Sequence, residues 1–472
     1  MLEIADVLEA LTGYCPEHAS LVISEAAIDS RKIIPAAMFV ALPGERLDGH
    51  DFVSQAFERG AHLALVQRDL STQFATLDLR QDTLPADATI PQPPFCLLVK
   101  DTVAALQKIA GFWRRRLDIR VVGVTGSVGK STTKELVAEV LSQRYRTLKN
   151  AGNLNNEIGL PLTLLRLGPG HQRAVLEMGF YVPGEITLLC NLARPQIGVI
   201  TNVGMVHAER AGSQEVIARG KAELVEALPE DGWAILNYDD PWVRPMAEKT
   251  KARVLYYGLD PAADLWADQI QGLGLEGIRL RLHYQNEVLH LRVPLIGRHS
   301  VHTVLRAAAV GLVEGLNWHQ IINGLKHGHN QLRMVAVTTQ SGALILDDTY
   351  NASPESTLAA LNLLAEMQGR KVAVLGDMLE LGQYERQGHE MVGMRAAEIV
   401  SELVTVGTLG HLIASAARKA GLPASAITSY DTVSEAITNL QNREFGKKDV
   451  LLIKGSHGLH MERIVAALEE ES

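Results

Sequence analysis

A glycine-rich segment, residues 126–133 (GSVGKSTT), has the residue types and spacing of a phosphate-binding loop. It follows the apolar residues 119–124, which are typical of a buried strand, and a helical pattern follows it. In such a loop the backbone N–H groups bind phosphate oxygens, a lysine (Lys130) reaches the terminal phosphates, and a serine (Ser131) holds Mg²⁺. The sequence therefore predicts a nucleotide site, and a turn that merely tolerates small residues is the weaker interpretation.

This phosphate loop departs from the general G-x-x-x-x-G-K-[ST] pattern at its first glycine. That glycine would fall at Val124, and Thr125 and Gly126 follow instead. The departure indicates a nucleotide site of an unusual kind.

Two polar residues come shortly after apolar runs that predict buried parallel strands. Glu177 follows residues 174–176, and His207 follows residues 197–204. Ligands bind at the carboxyl edge of open α/β sheets, so Glu177 is a candidate ligand for Mg²⁺ beside Ser131. A solvated glutamate and an ordinary loop histidine remain open as alternatives.

Three further groups are weaker candidates. The acidic turn, residues 347–354 (DDTYNASP), carries two carboxylates, although Asp, Asn, Ser and Pro are also common turn formers. Residues 454–457 (KGSH) follow a strand-like run and could bind an anion through the lysine and exposed N–H groups. Lys221 lies in an amphipathic helical pattern, where an exposed lysine is the ordinary interpretation.

The asparagine segment, residues 150–161 (NAGNLNNEIGLP), is rich in Asn, Gly and Pro. These residues disfavour a helix interior, so no helix is predicted here. Its many amide donors and acceptors suit a polar ligand with many oxygens, and a plain loop is the alternative.

The elements that must position these residues alternate between short apolar runs and helical patterns, which predicts an α/β chain. The runs that predict strands lie at 96–99, 174–176, 197–200, 233–236, 343–346, 372–375, 403–406 and 450–453. Residues 277–295 alternate between apolar and polar side chains and predict an antiparallel hairpin with one solvated face. Residues 101–117 predict a helix, whereas the polar, proline-rich residues 71–95 predict a long surface loop without a strand or helix.

Composition narrows the class of protein. At 472 residues, with 47% hydrophobic and 21% charged side chains, the chain should form about three globular domains. A net charge of −9 argues against a nucleic-acid binder and means that local cations must meet any anionic substrate. Three widely spaced cysteines, no leader-like N-terminus and no long apolar stretch predict a soluble cytoplasmic protein without a disulfide framework.

Together these segments resemble the Mur ligase family, and within it the branch that adds a D-alanyl-D-alanine dipeptide. The matching segments are 29–31, 39–45, 48–50, 123–134, 149–150, 153–161, 176–179, 347–354 and 376–382. In this family the variant phosphate loop is normal, so Val124 is no anomaly. One motif differs, because the family's usual His-Asn-x-x-Asn is here residues 299–303 (HSVHT). Thr303 replaces the Asn that commonly meets adenine.

The resemblance implies a three-domain α/β architecture with a central P-loop ATPase-like domain and a Rossmann-like C-terminal domain. The implied domains are 1–112 for the UDP end of the substrate, 113–330 for ATP, and 331–472 for ATP and the dipeptide. The implied activity is ATP-dependent amide ligation of D-alanyl-D-alanine to UDP-N-acetylmuramoyl-tripeptide through an acyl phosphate, releasing ADP and phosphate. A monomer is expected.

The resemblance also assigns roles to individual residues. The implied catalytic residues are Lys130, His207 and Lys221. The implied ATP-binding residues are Thr125, Gly126, Ser127, Val128, Gly129, Lys130, Ser131, Thr132, Arg333 and Asp348. Two Mg²⁺ ions are implied, one on Ser131 and Glu177 and one on His207 and Lys221, the lysine being a position that many members carry as a carbamate. The implied substrate-binding residues are Ser30, Arg31, Asp48, Gly49, His50, Asn153, Asn155, Asn156, Asn351, Ser353 and Pro354.

Two alternatives compete with this interpretation. Another member of the superfamily could add a third amino acid or glutamates, although the Asp-Asn-Pro-Arg run typical of diaminopimelate-adding enzymes is absent from this sequence. A nucleotide-dependent switch or small-molecule kinase would use the same phosphate loop. The sequence does not distinguish lysine from diaminopimelate at the third position of the tripeptide.

Overall fold

The computed structural model describes residues 1–16, 19–44, 47–84, 89–205, 208–327 and 335–469. In chain order the elements begin with α1 (Ile4–Thr12), β1 (Ala26–Ala27), β2 (Met38–Val40), α2 (Val53–Glu58), β3 (Leu63–Val66), β4 (Thr76–Asp78), β5 (Phe95–Leu98), α3 (Thr102–Arg115) and β6 (Arg120–Thr125). They continue with α4 (Lys130–Ser142), β7 (Thr147–Lys149), α5 (Gly159–Leu165), β8 (Arg173–Glu177), α6 (Glu185–Ala193), β9 (Ile197–Ile200), α7 (Ala208–Ala211), α8 (Gln214–Glu226), β10 (Trp233–Asn237), β11 (Arg253–Gly258), β12 (Leu265–Gly272), β13 (Ile278–Tyr284), β14 (Glu287–Val293) and α9 (Val301–Val313). The remaining elements are α10 (Trp318–His327), β15 (Val335–Thr338), β16 (Leu344–Asp347), α11 (Pro354–Glu366), β17 (Arg370–Gly376), α12 (Glu385–Ile399), β18 (Glu402–Val406), α13 (Gly410–Lys419), β19 (Ile427–Tyr430), α14 (Val433–Gln441), β20 (Asp449–Lys454) and α15 (Glu462–Glu469).

The chain divides into two compact units. The first comprises Met1–Gly123, Tyr145–Gly179 and Gly184–Gln196, and the second comprises Val124–Arg144, Phe180–Pro183 and Ile197–Ser472. The division falls inside β6, so the phosphate loop belongs to the second unit.

The first unit contains a parallel sheet with the strand order β1–β2–β3–β5–β4. Its inner strands β3 and β5 consist of apolar residues that are all buried, as parallel strands require. The predicted helix at 101–117 is confirmed as α3, and the Asp101 carboxylate caps it by accepting a hydrogen bond from Ala104 N at 2.9 Å. β7 and β8 pair in parallel in the same unit.

The prediction that residues 71–95 lack regular structure is wrong at two places. β4 pairs in parallel with β5, and Phe95 is already the first residue of β5. Leu77 and Leu79 fix β4, because their side chains are 6% and 2% exposed. A strand of three residues is too short to produce a recognisable period, so its signal was lost in the surrounding polar sequence.

The asparagine segment is irregular over residues 150–158, as predicted, but its last three residues are helical. Gly159, Leu160 and Pro161 form the first turn of α5. Proline fits there because a first-turn N–H has no partner within the helix. Asn156, just before the helix, accepts a hydrogen bond from Gly159 N on its Oδ1 at 2.9 Å.

In the second unit, β9, β10, β11 and β12 are successive parallel neighbours, and β12, β13 and β14 continue in antiparallel pairs. The predicted hairpin is therefore confirmed as β13 and β14, with Tyr284 opposite Glu287 at its turn. Ile278, Leu280 and Leu282 are buried and their neighbours are not, which is the predicted alternation.

The C-terminal part of the second unit is a sheet with the order β15–β16–β20–β17–β18–β19, in which only the β15–β16 pair is antiparallel. The register of β16 and β20 places Asp347 beside Ile453. The acidic turn after β16 and the residues after β20 therefore leave the same edge of the sheet side by side. The α/β class predicted from the sequence is confirmed.

The helix predicted after the phosphate loop is confirmed as α4. Leu136, Val137, Val140 and Leu141 form its buried face. Across the described ranges, every helix is too short or too polar to cross a bilayer.

Candidate active site

The phosphate loop is held against the end of β9 by hydrogen bonds that its backbone N–H groups and one of its serine side chains make. Ser127 N donates to Asn202 O at 2.9 Å, and Val128 N donates to Asn202 Oδ1 at 2.9 Å. Ser127 Oγ accepts from Gly204 N at 2.8 Å. Gly126 and Gly129 have φ of +145° and +83°, a region that favours glycine. The loop is therefore shaped by its glycines and by an asparagine 74 residues away in the chain.

Lys130 begins α4 and curls back over the loop. Its Nζ donates to Gly126 O at 2.7 Å and to Ser127 O at 3.1 Å. Ser131 and Thr132 follow in the first turn, where backbone N–H groups point away from the helix and can bind an anion. Thr125, just before the loop, is fully buried. The residues between 125 and 132 that were predicted to bind ATP thus lie together in the loop and the first turn of α4.

A pocket of the second unit is lined by the phosphate loop on one side and the acidic turn on the other. Ser127, Gly129 and Thr132 line it together with Asp348 and Lys454. Ile296, Ala359 and Ala360 form an apolar part of its wall. Hydroxyls, loop N–H groups and a lysine beside an apolar wall suit a phosphorylated ligand that also has an apolar or aromatic part.

Ser300 and Thr303, the two departures from the family's motif, line this pocket as well. Ser300 Oγ donates to Ile296 O at 2.7 Å, so this serine closes a turn before α9. Thr303 Oγ1 accepts a hydrogen bond from Arg306 Nη2 at 2.7 Å.

The acidic turn is fixed by a buried lysine. Lys454 is 2% exposed, and its Nζ donates to Asp348 Oδ2 at 2.6 Å and to Asn351 O at 2.8 Å. Ser353 caps α11 by accepting from Ser356 N at 3.2 Å, and Pro354 is the first residue of that helix. Residues 347–354 are therefore more than a plain turn, because a buried cation holds their carboxylate and carbonyl oxygens at the pocket.

Lys221 is buried, against the ordinary expectation of an exposed lysine on an amphipathic helix. It lies in α8, is 1% exposed, and its Nζ is 5.0 Å from the ring centroid of Phe180. Burial lowers the pKa of Lys221 well below its usual value, and the charge of Lys130 lowers it further. Lys221 is therefore more readily deprotonated than an exposed lysine.

In the first unit, the asparagine segment holds Glu177 at the end of β8. Glu177 N donates to Asn150 Oδ1 at 2.9 Å, and Glu177 Oε1 accepts from Asn155 Nδ2 at 2.9 Å. Glu177 is 2% exposed, so the solvated alternative is wrong. Asn155 thus contacts this carboxylate, whereas Asn153 is exposed and Asn156 Oδ1 accepts from Gly159 N.

The predicted residues for the UDP end lie in two short turns beside α2. Ser30 Oγ donates to Gln55 Oε1 at 2.6 Å. Arg31 is exposed, and its hydrogen bond to Asp29 lowers the pKa of that carboxyl to about 2. Arg31 is the more exposed partner of this pair, with 79% of its side chain open to solvent compared with 26% for Asp29.

Asp48, Gly49 and His50 form the second of these turns. His50 is buried, with its Nε2 accepting from Gln67 N at 2.9 Å and its Nδ1 2.5 Å from Asp48 Oδ1. Because Nε2 accepts, the proton lies on Nδ1 and is donated to Asp48. A Cβ on Gly49 would lie 2.7 Å from Leu42 N, which requires glycine there.

Two predicted residues, His207 and Arg333, lie outside the described residues. Within the described ranges no cluster of three His, Cys, Asp or Glu side chains is arranged to hold a metal. Ser131 and Glu177 nevertheless have the oxygen donors that Mg²⁺ prefers, and this ion commonly uses one or two protein ligands with phosphates and water. Each of these two side chains, taken by itself, therefore fits the role of a Mg²⁺ ligand.

Sequence reasoning missed Arg306 and gave Asn150 no role. Arg306 is the single charge among the apolar residues 304–313 of α9, and it is 4% exposed. A lone arginine on the buried face of a helix is a signal that the sequence carried, since such a charge needs partners.

Models of the Mur ligase family match most of the chain. The catalytic-domain model covers residues 22–112, the middle-domain model 124–311, and the glutamate-ligase-domain model 332–457. The chain belongs to the Mur ligase family, as the resemblance in its motifs predicted.

Relatives that share one name match almost the whole chain. UDP-N-acetylmuramoyl-tripeptide–D-alanyl-D-alanine ligase of Bacillus subtilis is 36% identical, covering 96% of this chain and 95% of the relative. The ligase of that name from Escherichia coli is 35% identical with the same coverage. MurF from Acinetobacter baumannii has a TM-score of 0.83 at 31% identity, covering 99% of this chain and 98% of its own. MurF from Thermotoga maritima, solved in complex with ADP, has a TM-score of 0.78 at 27% identity, covering 95% and 97%.

Proposed function

We propose that this chain joins D-alanyl-D-alanine to UDP-N-acetylmuramoyl-tripeptide with ATP, giving the UDP-linked pentapeptide of peptidoglycan synthesis, ADP and phosphate. The observation that carries the proposal is the pocket of the second unit, where a phosphate loop faces a lysine-held carboxylate turn. Ligases of this name match the chain from end to end, which supports the same reaction. The domain boundaries we propose are 112/113 and 330/331.

The reaction needs an activated acid, because a carboxylate is a poor electrophile. A carboxylate oxygen of the tripeptide attacks the γ-phosphorus of ATP, the bond to the ADP oxygen breaks, and an acyl phosphate forms. The neutral amine of the dipeptide then attacks the acyl carbon, loses a proton, and phosphate leaves as the amide forms. The protein's contribution is to position the reactants and to neutralise phosphate charge.

The second unit supplies the groups for the nucleotide. Residues 125–132 bind the phosphates through N–H groups and hydroxyls, and Lys130 stabilises the transferring phosphoryl group by moving from its loop carbonyls to the ligand. Asp348 binds the nucleotide from the acidic turn, and Arg333 is proposed to join it. Asn351, Ser353 and Pro354 border the dipeptide.

Glu177 and Ser131 are proposed to hold one Mg²⁺, and His207 and Lys221 a second. Bound Mg²⁺ supplies positive charge that offsets the charge of the phosphate oxygens. Lys221 is proposed to act as a carbamate, formed when its neutral amine adds to CO₂ and releases a proton. Burial supports this step because it favours the neutral amine over the ammonium. Activity of Lys221→Ala that short carboxylic acids restore would support the carbamate, and loss without rescue would oppose it.

The first unit is proposed to bind the UDP-linked substrate. Its candidate residues are Ser30, Arg31, Asp48, Gly49, His50, Asn153, Asn155 and Asn156. Arg31 is the exposed cation of this set and is proposed to meet the diphosphate, while His50 shapes the turn. Because its substrates are a UDP-linked peptide and ATP, we propose that the protein acts in the cytoplasm.

A coupled assay of ADP release tests the proposal. Release that requires both UDP-N-acetylmuramoyl-tripeptide and D-alanyl-D-alanine supports the ligase. ATP hydrolysis or substrate phosphorylation without the dipeptide would instead identify a switch or kinase. Running the assay with tripeptides that end in lysine and in diaminopimelate decides the third residue, and Lys130→Ala serves as the inactive control.

A further inference from the structure

Arg306 places a buried positive charge at the base of the phosphate loop. It lies in α9, is 4% exposed, and all three nitrogens of its guanidinium have partners. Nε donates to Thr133 Oγ1 at 2.9 Å, Nη2 to Thr303 Oγ1 at 2.7 Å, and Nη1 to Tyr257 Oη at 3.3 Å. Each of these hydrogen-bond partners is a hydroxyl, and the guanidinium carbon also lies 5.6 Å from the ring centroid of Tyr257, so none of these contacts brings a full negative charge.

The hydroxyls of Thr133 and Tyr257 stay neutral and donate hydrogen bonds to backbone carbonyl oxygens. Thr133 Oγ1 donates to Gly129 O at 2.6 Å, and Tyr257 Oη lies 2.9 Å from Ile200 O. Burial raises the pKa of Tyr257 to about 12, which excludes a phenolate as the counter-charge. Within the described part of the chain, Arg306 forms no ion pair with a carboxylate. A buried charge without a counter-ion is costly unless something else compensates it.

The phosphate loop lies beside the guanidinium and is a place where a negatively charged ligand could bind. A Cβ on Gly129 would lie 3.3 Å from Arg306 Nη2, so the guanidinium is directly behind that glycine. Gly129 and Thr303 line the pocket, whereas Arg306 does not. The charge of Arg306 would therefore act on a phosphate bound in the pocket from the opposite side of the loop.

We propose that Arg306 is a positioning residue of the nucleotide site, which fixes the start of α4 through Thr133 and favours ligands in proportion to their phosphate charge. The inference rests on the proposed use of ATP and adds a cation outside the loop itself. A purely structural role for Arg306 would stabilise the fold but would not make the protein distinguish ATP from AMP.

Direct binding of ATP, ADP and AMP to the full chain tests the proposal, with Arg306→Gln and Arg306→Lys compared with the unsubstituted protein. Gln keeps some hydrogen bonds and removes the charge, so ATP affinity should fall about tenfold while AMP affinity falls much less. Lys keeps the charge and should retain most of the ATP-to-AMP affinity ratio. Tyr257→Phe is the matched control, because it removes one partner of Arg306 and leaves the charge in place.

Equal losses for ATP and AMP in Arg306→Gln would overturn the proposal, as would a ratio in Arg306→Lys no higher than in Arg306→Gln. If the Gln variant does not fold, the Lys variant decides alone: a folded Lys variant that has lost the ATP-to-AMP ratio overturns the proposal, and one that keeps it supports it. Failure of the unsubstituted protein to bind any of the three nucleotides would refute the proposed function instead. The two failures are therefore distinguishable.

Discussion

A Cβ at position 126 would lie 1.7 Å from the hydroxyl oxygen of Thr201, the residue that follows β9. The same Cβ would lie 3.0 Å from Thr201 N, so moving the threonine side chain alone does not make room. Thr201 N also donates to Thr125 O at 2.9 Å, which ties the two segments together at this point. Glycine at 126 is therefore required by a close approach of two backbones, as well as by its φ of +145°.

Gly126→Ala should displace the phosphate loop. We expect a loss of stability of about 1–3 kcal/mol from the clash and the strained backbone, together with loss of nucleotide binding. Urea unfolding and ATP binding measure the two effects. Gly170→Ala is the matched control, because nothing lies within 4 Å of its Cβ, and it should change neither quantity. An alanine at 126 that binds ATP normally would contradict the close approach.

Thr201→Val should leave stability unchanged or raise it by up to about 1 kcal/mol. Thr201 Oγ1 is buried and has no hydrogen-bond partner among the described residues, so the native hydroxyl is desolvated without compensation. Valine keeps the shape and removes that oxygen. A decrease in the free energy of unfolding of more than about 1 kcal/mol would show instead that the hydroxyl is hydrogen-bonded in solution.

Local patterns were sufficient for some parts of this protein and insufficient for others. The phosphate loop, the β13–β14 hairpin and the buried parallel strands follow from residue type and period within short windows. Other features depend on segments that are far apart in the chain. They are the need for glycine opposite Thr201, the burial of Lys221 against Phe180 and the ion pair of Lys454 with Asp348. A single sequence shows those residues but does not show which distant segment each one meets.

Lys454→Met should destabilise the protein by about 3–5 kcal/mol, because it leaves the Asp348 carboxylate without its buried cation. Asp348 is paired with Lys454 Nζ at 2.6 Å, and Lys454 is almost fully buried. The double variant Lys454→Met with Asp348→Asn should recover part of the loss, since it removes the uncompensated charge. Denaturant unfolding of the two single variants and the double variant gives the coupling energy. Strictly additive losses would mean that the pair is not energetically coupled.

Asn155→Ala should weaken the response to Mg²⁺ more than it weakens the fold. Asn155 Nδ2 holds Glu177 Oε1 at 2.9 Å, and loss of a residue that orients a metal ligand commonly costs about 10- to 100-fold in metal affinity or activity. The test is the Mg²⁺ concentration that gives half-maximal ADP release, with Asn439→Ala, an exposed helix position, as the control. An unchanged Mg²⁺ requirement in Asn155→Ala would argue against Glu177 as a metal ligand.

Lys221→Met should make the protein more stable at neutral pH, by an amount that shrinks as the pH rises. The folded protein holds Lys221 with a pKa well below 10.5, so between that lowered pKa and 10.5 the unfolded chain binds a proton that the folded chain does not. In that window the stability of the unsubstituted protein rises with pH. Methionine has no proton to lose, so the stability difference between the two proteins should shrink as the pH approaches 10.5, until only the pH-independent difference between the two side chains is left.

Urea unfolding in CO₂-free buffer at about pH 7.5 and about pH 9.5 measures this difference within the window in which an unfolded lysine titrates. Lys419→Met, an exposed lysine at the end of α13, should show no such trend. A stability difference for Lys221→Met that stays constant between the two pH values would show that Lys221 is protonated in the folded protein. Adding bicarbonate should stabilise the unsubstituted protein and leave the Lys221→Met variant unchanged, because only a neutral amine can form the proposed carbamate.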